Sequence, residues 1–192
     1  MAEGTAAIVT AKPKTYTGGL MAAPEGTAVP MPGADAFAAL PEAFRKAGLI
    51  GPDGFTKNAE GSDEDEFAWG GIVVNTVRTE FAVTYELEIR ETANPVTLAI
   101  LFGEDNVIND ETNKVLTVKT NADLAPRQAF VFEMLDKGRG HREVIPNGQI
   151  LASGEQTFSH GASTVIPCQI KAYPDPVTED NAWNMKATAA AA

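Results

Sequence analysis

The chain of 192 residues holds one cysteine, Cys168, and two histidines, His141 and His160. A lone cysteine rules out an internal disulfide, and two histidines leave little from which to build a zinc site or a Ser-His-Asp centre. No GxSxG elbow, HExxH helix or paired CxxC motif accompanies them. Near the start, no basic region leads into an apolar run and a small-residue cleavage site. Nowhere does a stretch approach the roughly eighteen apolar residues that span a bilayer. The expectation is a soluble, unexported chain with no membrane partner, kept in a reducing cytosol. No self-similarity appears at a period of about 20 to 50 residues, which argues against a solenoid or propeller. Bases are scarce as well: 15 Lys and Arg face 26 Asp and Glu, a net charge of −11. A protein so short of cations does not grip nucleic acid through its phosphates. Together these absences predict no enzyme, no metal site and no cofactor.

What is present reads as one domain, a core between two arms. The N-terminal arm covers 1–33 and is rich in Ala, Thr, Gly and Pro, with little core-forming periodicity. The β-rich core covers 34–173, and a polar C-terminal arm ending in an alanine run covers 174–192. A short helix is predicted in ADAFAALPEAFRKAG, with Phe37 and Leu40 ahead of Pro41 and Gly48 as its stop. GPDG then supplies a turn. From Phe55 the pattern takes strand period, with Gly61-Ser62 and Gly70-Gly71 as turn, bend or bulge positions. ANPVTLAILFG reads as a short buried helix with Pro95 in its first turn and Gly103 as its stop, and EDNVINDETNK as a polar loop. VLTVKTN, RQAFVFEML, HREVIP and TVIPCQIKAY are further strands. Gly138-Arg139-Gly140 reads as a hairpin turn rather than a phosphate-binding turn, because no helix follows it. The fold class expected is mainly β, a sandwich or barrel with one or two short helices.

The clearest strand is TEFAVTYELEIR. Alternation sends Phe81, Val83, Tyr85, Leu87 and Ile89 to a core face and Glu80, Thr84, Glu86, Glu88 and Arg90 to the other. Cys168 shares a strand face with Ile166 and Ile170, which predicts a buried thiol with nothing nearby to activate it. Acid is concentrated in one segment: from Glu60 to Glu91 nine acids meet two bases, so seven of the eleven net negative charges fall there. The run Asp63, Glu64, Asp65, Glu66 lacks the alternating oxygen ligands, central glycine and terminal glutamate of an EF-hand loop. Taken alone, an acidic strand face is an ordinary solvated sheet surface.

Over residues 34–103, roughly a third of the chain, the sequence resembles the major tail tube proteins of long-tailed bacteriophages, especially those infecting actinobacteria. The resemblance lies in the order of AGLIGPDGF, an acidic stretch leading to Ala68-Trp69-Gly70, Val77-Arg78-Thr79 opening the long alternating strand, and Glu91-Thr92 before Asn94-Pro95. It implies a structural virion protein of a non-contractile tail, assembled in the host cytoplasm. Hexameric rings would stack into a tube, with strands of every subunit joined around a bore through which viral DNA passes without specific binding. Partners implied are copies of the chain itself and the tail terminator, tape measure and distal tail proteins. Carried over, the bore-facing residues are Glu80, Thr84, Glu86, Glu88 and Arg90. Asp63, Glu64, Asp65 and Glu66 face the bore or the next ring. Inter-ring contacts fall to the terminal arms and to the loop over 104–114, with Glu104, Asp105, Asn109, Asp110 and Glu111 as candidates. A carboxylate-lined bore suits this function, since a duplex carries one negative charge per about 1.7 Å and a lysine-lined bore would hold it.

Two readings from other classes compete. One is a carbohydrate-binding β-sandwich module on a virion, with Trp69 or Trp183 as a stacking platform. The other is a hydrolase working through His141 or His160.

Overall fold

The computed structural model describes residues 10–15, 19–36, 38–136 and 138–187. Local sequence accounts for the α-helix among them, α1 (Pro95–Phe102). The Asn94 side chain caps it by accepting the Val96 N–H at 3.0 Å. Pro95 sits in the first turn, where no N–H is needed, and Gly103 ends the helix at φ 86°. Leu98, Ile100 and Leu101 are buried, so this is the buried helix that the sequence predicts.

The remaining architecture is antiparallel β. Strands β1 (Leu20–Pro24), β2 (Arg45–Lys46), β3 (Ile50–Ala68), β4 (Ile72–Ile89), β7 (Gln128–Asp136), β8 (Arg139–Ala152), β9 (Ile166–Ala172) and β10 (Trp183–Lys186) form one sheet. Its order is β2-β1-β7-β8-β9-β4-β3, with β10 added beside β8. Strands β5 (Val107–Asp110) and β6 (Val115–Val118) form a separate hairpin. The long β8 pairs with β7 along one edge and divides its other edge between β10, at 141–144, and β9, at 148–152. Between them lies Pro146, which has no N–H to offer a ladder. At Gly148 a Cβ would stand 2.8 Å from the Phe130 ring, so only glycine lets the strand pass there. The sheet thus folds over on itself as a sandwich. Phe55 of β3 stacks on Phe132 of β7 with ring centroids 3.9 Å apart, and Tyr85 of β4 donates its hydroxyl to Glu143 of β8 at 2.7 Å. The main core, between the layers and under α1, holds Tyr85, Ile89, Leu101, Phe130, Ile145 and Ile170. A smaller one, with Phe44, Val131, Val144, Trp183 and Met185, lies on the other side of β7 and β8.

Several expectations change. No helix forms over 34–48; the described residues there make turns and then β2. Pairing of β2 with β1 and burial of Phe44 outcompete a helix too short to nucleate cheaply. Phe37 lies outside the described residues. Two segments read as arms supply strands: β1, whose Leu20, Ala22 and Ala23 are buried, and β10, which buries Trp183 and Met185. GPDG is a wide bulge inside β3 rather than a turn between elements, since Ile50 pairs with Ile89 and Phe55 already with Leu87. The polar loop over 104–114 contains a 3-10 turn (Glu104–Asn106) and the β5–β6 hairpin. Asp110 organises that hairpin's turn by accepting the Asn113 N–H at 2.9 Å, the Asn113 side-chain amide at 2.8 Å and the Thr112 N–H at 3.0 Å, which together hold its carboxyl below the usual range. Strands β6, β7 and β9 form where predicted; the chain does turn at Gly138, but Arg139 and Gly140 already pair within β8, which also runs past the predicted HREVIP to Ala152.

The packing separates two phenylalanines, Phe132 inside the sandwich and Phe81 out on the ribbon. Phe132→Ala, at 1% exposure, is expected to cost about 3–5 kcal/mol in urea unfolding of the isolated subunit. Phe81→Ala, at 51% exposure, should stay within roughly 0.5 kcal/mol in the same measurement.

Candidate functional site

Strand β9 pairs with β4 only from Val83 to Ile89. Beyond Val83, β3 and β4 have no other strand beside them among the described residues, and every residue from 59 to 82 is exposed. The result is a two-stranded ribbon reaching about 30 Å from Ala59 to its tip, at ~3.3 Å per residue. Gly70 and Gly71, at φ 108° and 81°, make the turn that brings β4 back, a conformation open to glycine and costly for other residues. The ribbon carries Phe67, Trp69, Ile72, Val73, Val74, Val77 and Phe81 in the open. Single exposed apolar residues are commonplace, but seven together on an uncovered element mark an interaction surface.

The pairing register sets the two faces. Residues directly opposite share a face, and β3 alternates without interruption from Phe55 to Ala68. Strand β4 carries the irregularities: Thr79 is extra between the pairs Ser62/Glu80 and Asp63/Arg78, and Val74 between Glu66/Asn75 and Phe67/Val73. On the face turned away from the core stand Glu60, Glu64, Glu66, Glu80, Glu86 and Glu88, and no base of the ribbon joins them. On the face that continues the core lie Lys57, Asp63, Asp65, Arg78 and Phe81. There Arg78 Nε and Nη2 reach the two Asp63 carboxylate oxygens at 2.7 and 3.1 Å and hold that carboxyl below its usual range. Thr76 donates to Asp65 at 2.7 Å. The acidic run is therefore divided, glutamates to one face and aspartates to the other.

Two polar clusters fasten the foot of the ribbon. Buried Glu143 accepts from Tyr85, from Asn184 at 2.6 Å and from Lys57. Burial first, and then this carboxylate, raise the Tyr85 hydroxyl far above its ordinary range, so it stays a donor. Glu91 accepts the Leu49 N–H at 3.0 Å and the Asn94 side chain at 2.6 Å, which ties the incoming and outgoing chains together.

A family model described as phage tail tube protein matches residues 1–192. The chain belongs to the phage tail tube protein family. A comparison with curated proteins finds no match. This tail tube protein is accordingly a structural component of the virion, and its place is among copies of itself and other tail proteins.

Seen as part of a tail tube protein, the predicted site residues fall into three groups. Glu80, Glu86 and Glu88 share the outward face with Thr84, which pairs with Lys171 of β9. Arg90 is exposed just past the end of β4, at the ribbon's foot, with its N–H on Leu49 O at 2.9 Å. Val83, Tyr85, Leu87, Ile89 and Cys168 are core residues as predicted, and burial pushes the Cys168 thiol up to about 12. Phe81 is not in this subunit's core, because β9 stops at Val83 and none of the described residues lies over the ribbon beyond it. Glu104, Asp105, Asn109, Asp110 and Glu111 ring the β5–β6 hairpin, where Glu104 pairs with Arg45 at 2.9 Å. Trp183 cannot serve as a stacking platform: it is buried, with its indole N–H on Pro30 O at 2.9 Å. Trp69 stands fully exposed beside the ribbon's turn. The sequence reading missed the Glu143 cluster, whose members are far apart along the chain, and the extra residues Thr79 and Val74. Gly61-Ser62, flagged as a bulge position, lies opposite the first of these.

Deleting Thr79 removes the bulge: Asp63/Arg78 and the pairs beyond keep their faces, but the ribbon loses the local bend and twist that the extra residue gives, and its outer part is re-aimed. The expected result is a subunit with unchanged circular dichroism and thermal midpoint that no longer assembles, as judged by sedimentation.

Proposed function

We propose that this chain forms hexameric rings that stack into the tube of a long, non-contractile phage tail, with the glutamate face of the β3–β4 ribbon turned toward a central bore for the viral DNA. The observation that carries this reading is a ribbon that projects past β9 with Glu60, Glu64, Glu66 and Glu80 and no base on one face, a row continued at its foot by Glu86 and Glu88, where Lys171 of β9 joins it. Along β3's outer edge, and along β4's edge beyond Val83, the strands lack ladder partners among the described residues. Open edges of this kind invite pairing with another copy, and a closed ring removes them. A head-to-tail contact that does not close along the axis then yields a filament.

Function follows from charge. DNA moving through the bore meets carboxylates at distances comparable to the Debye length, about 8 Å at physiological salt, so repulsion keeps it off the wall. No specific binding and no cofactor is needed. The tail terminator, tape measure and distal tail proteins would cap, measure and start the tube. The β5–β6 hairpin and the terminal segments would meet the next ring.

Electron microscopy of the purified protein, with and without its tail-initiation partners, tests the assembly. Hollow tubes of stacked rings are expected, and persistent compact monomers in both conditions would overturn the reading. The triple variant Glu80→Lys, Glu86→Lys, Glu88→Lys tests the bore. Its tubes should form, while DNA release from virions slows roughly tenfold or more at low salt and recovers as salt rises. Release that is unchanged at every salt concentration would take these residues out of the bore.

A further inference from the structure

We infer that the ribbon tip of one copy seats in a cleft at the ribbon foot of a second copy in the assembled tube, an inference that rests on the tube reading above. The tip is apolar and bare: Phe67, Trp69 and Ile72 are between 64% and 105% exposed around the Gly70-Gly71 turn. The cleft opens where β3 begins. Pro13, Leu49, Ile50, Phe55, Phe132 and Met134 line it, and its volume is about 370 Å³, within the ~300–1,000 Å³ of pockets that take small ligands. The four-residue bulge over 51–54, with Gly51 and Gly54, forms one wall and keeps it free of large side chains.

The occupant follows from dimensions and charge. From Phe55 to the end of β3 at Ala68 the ribbon measures about 43 Å at ~3.3 Å per residue, so a tip cannot reach its own cleft. A second copy displaced by about that length along the ribbon presents its cleft to the tip, and the contact repeats without closing, which is the condition for a filament. The tip brings Glu64, Asp65 and Glu66. The cleft is edged by an exposed segment in which Lys12 and Lys14 alternate with the lining residues Ala11 and Pro13, and of the two Lys14 already stands 3.4 Å from Glu133, which leaves Lys12 as the charge offered to the tip. Of the acids there, Glu133 is already paired with Arg142 and Lys14, and Asp53 stands on the bulge.

Thiol cross-linking tests this directly. Both Trp69 and Leu49 are exposed in the subunit, so Trp69→Cys with Leu49→Cys leaves the fold in place, and buried Cys168 does not compete. A short bismaleimide is expected to give dimers and higher ladders in tubes and none in dispersed subunits. A control pairing Trp69→Cys with Val177→Cys, also exposed, should give none in either. Tubes that form with no Leu49 cross-link overturn the inference and leave the tube reading standing. If the wild-type chain forms no tubes, it is the tube reading that falls. Should the double variant fail to assemble, the difference in emission between wild type and Trp69→Phe isolates Trp69. A shift to shorter wavelength and at least threefold protection from acrylamide on assembly is expected, and emission that stays solvent-like in tubes overturns the inference.

Discussion

A two-stranded antiparallel ribbon in water is marginal on its own, because each strand satisfies half of its backbone groups within the pair and offers the other half to solvent. Here that arrangement extends from 59 to 82 with apolar side chains on display. Free-standing, such an element gains little from burial to set against the entropy of ordering it. Every other feature of the fold can be read as holding the ribbon ready for a partner that supplies the missing contacts. The sandwich anchors one end, the glycine pair turns the other, and none of the described residues covers what lies between.

Anchoring matters because a long lever magnifies small rotations at its base. Glu143 is the fixed point. Its carboxylate is out of water, and a buried charge is tolerable only when its hydrogen-bonding capacity is met. Tyr85 from β4, Lys57 from β3 and Asn184 from β10 meet it together. Removing any of these donors would leave a charge under-compensated inside the sandwich, so the geometry of both ribbon strands is coupled to the position of β8. Glu91 performs the same joining at the outer corner, between the entry to β3 and the start of α1.

Much of this was legible in the sequence because it is local. The alternation from Thr79 to Ile89, the cap and stop of α1 at Asn94 and Gly103, and the paired glycines of the turn are each written within a few consecutive residues. What was not legible depends on distant pairing. LMAAP has too short and too small a set of side chains to announce β1, and only its fit against β7 makes it a strand. The 34–48 segment has helical spacing but is claimed by β1 and by the smaller core. Alternation alone also mistook Phe81 for core: periodicity reports which face a residue occupies and is silent on where the covering layer ends. Which residues of β4 share each face with the divided acidic run required the register, since one extra residue at Thr79 inverts the alternation of β4 between it and the next shift.

The single thiol has a consequence for life outside the cell. In oxygenated surroundings every reactive cysteine of a polymer would be repeated along the whole length, side by side with its copies. Cys168 lies against Ile166 and Ile170 in the sandwich and stays protonated at any ordinary pH. The thiolate that oxidants and disulfide exchange require is therefore scarcely present. A filament of this protein can age in air without knitting its subunits together or stiffening.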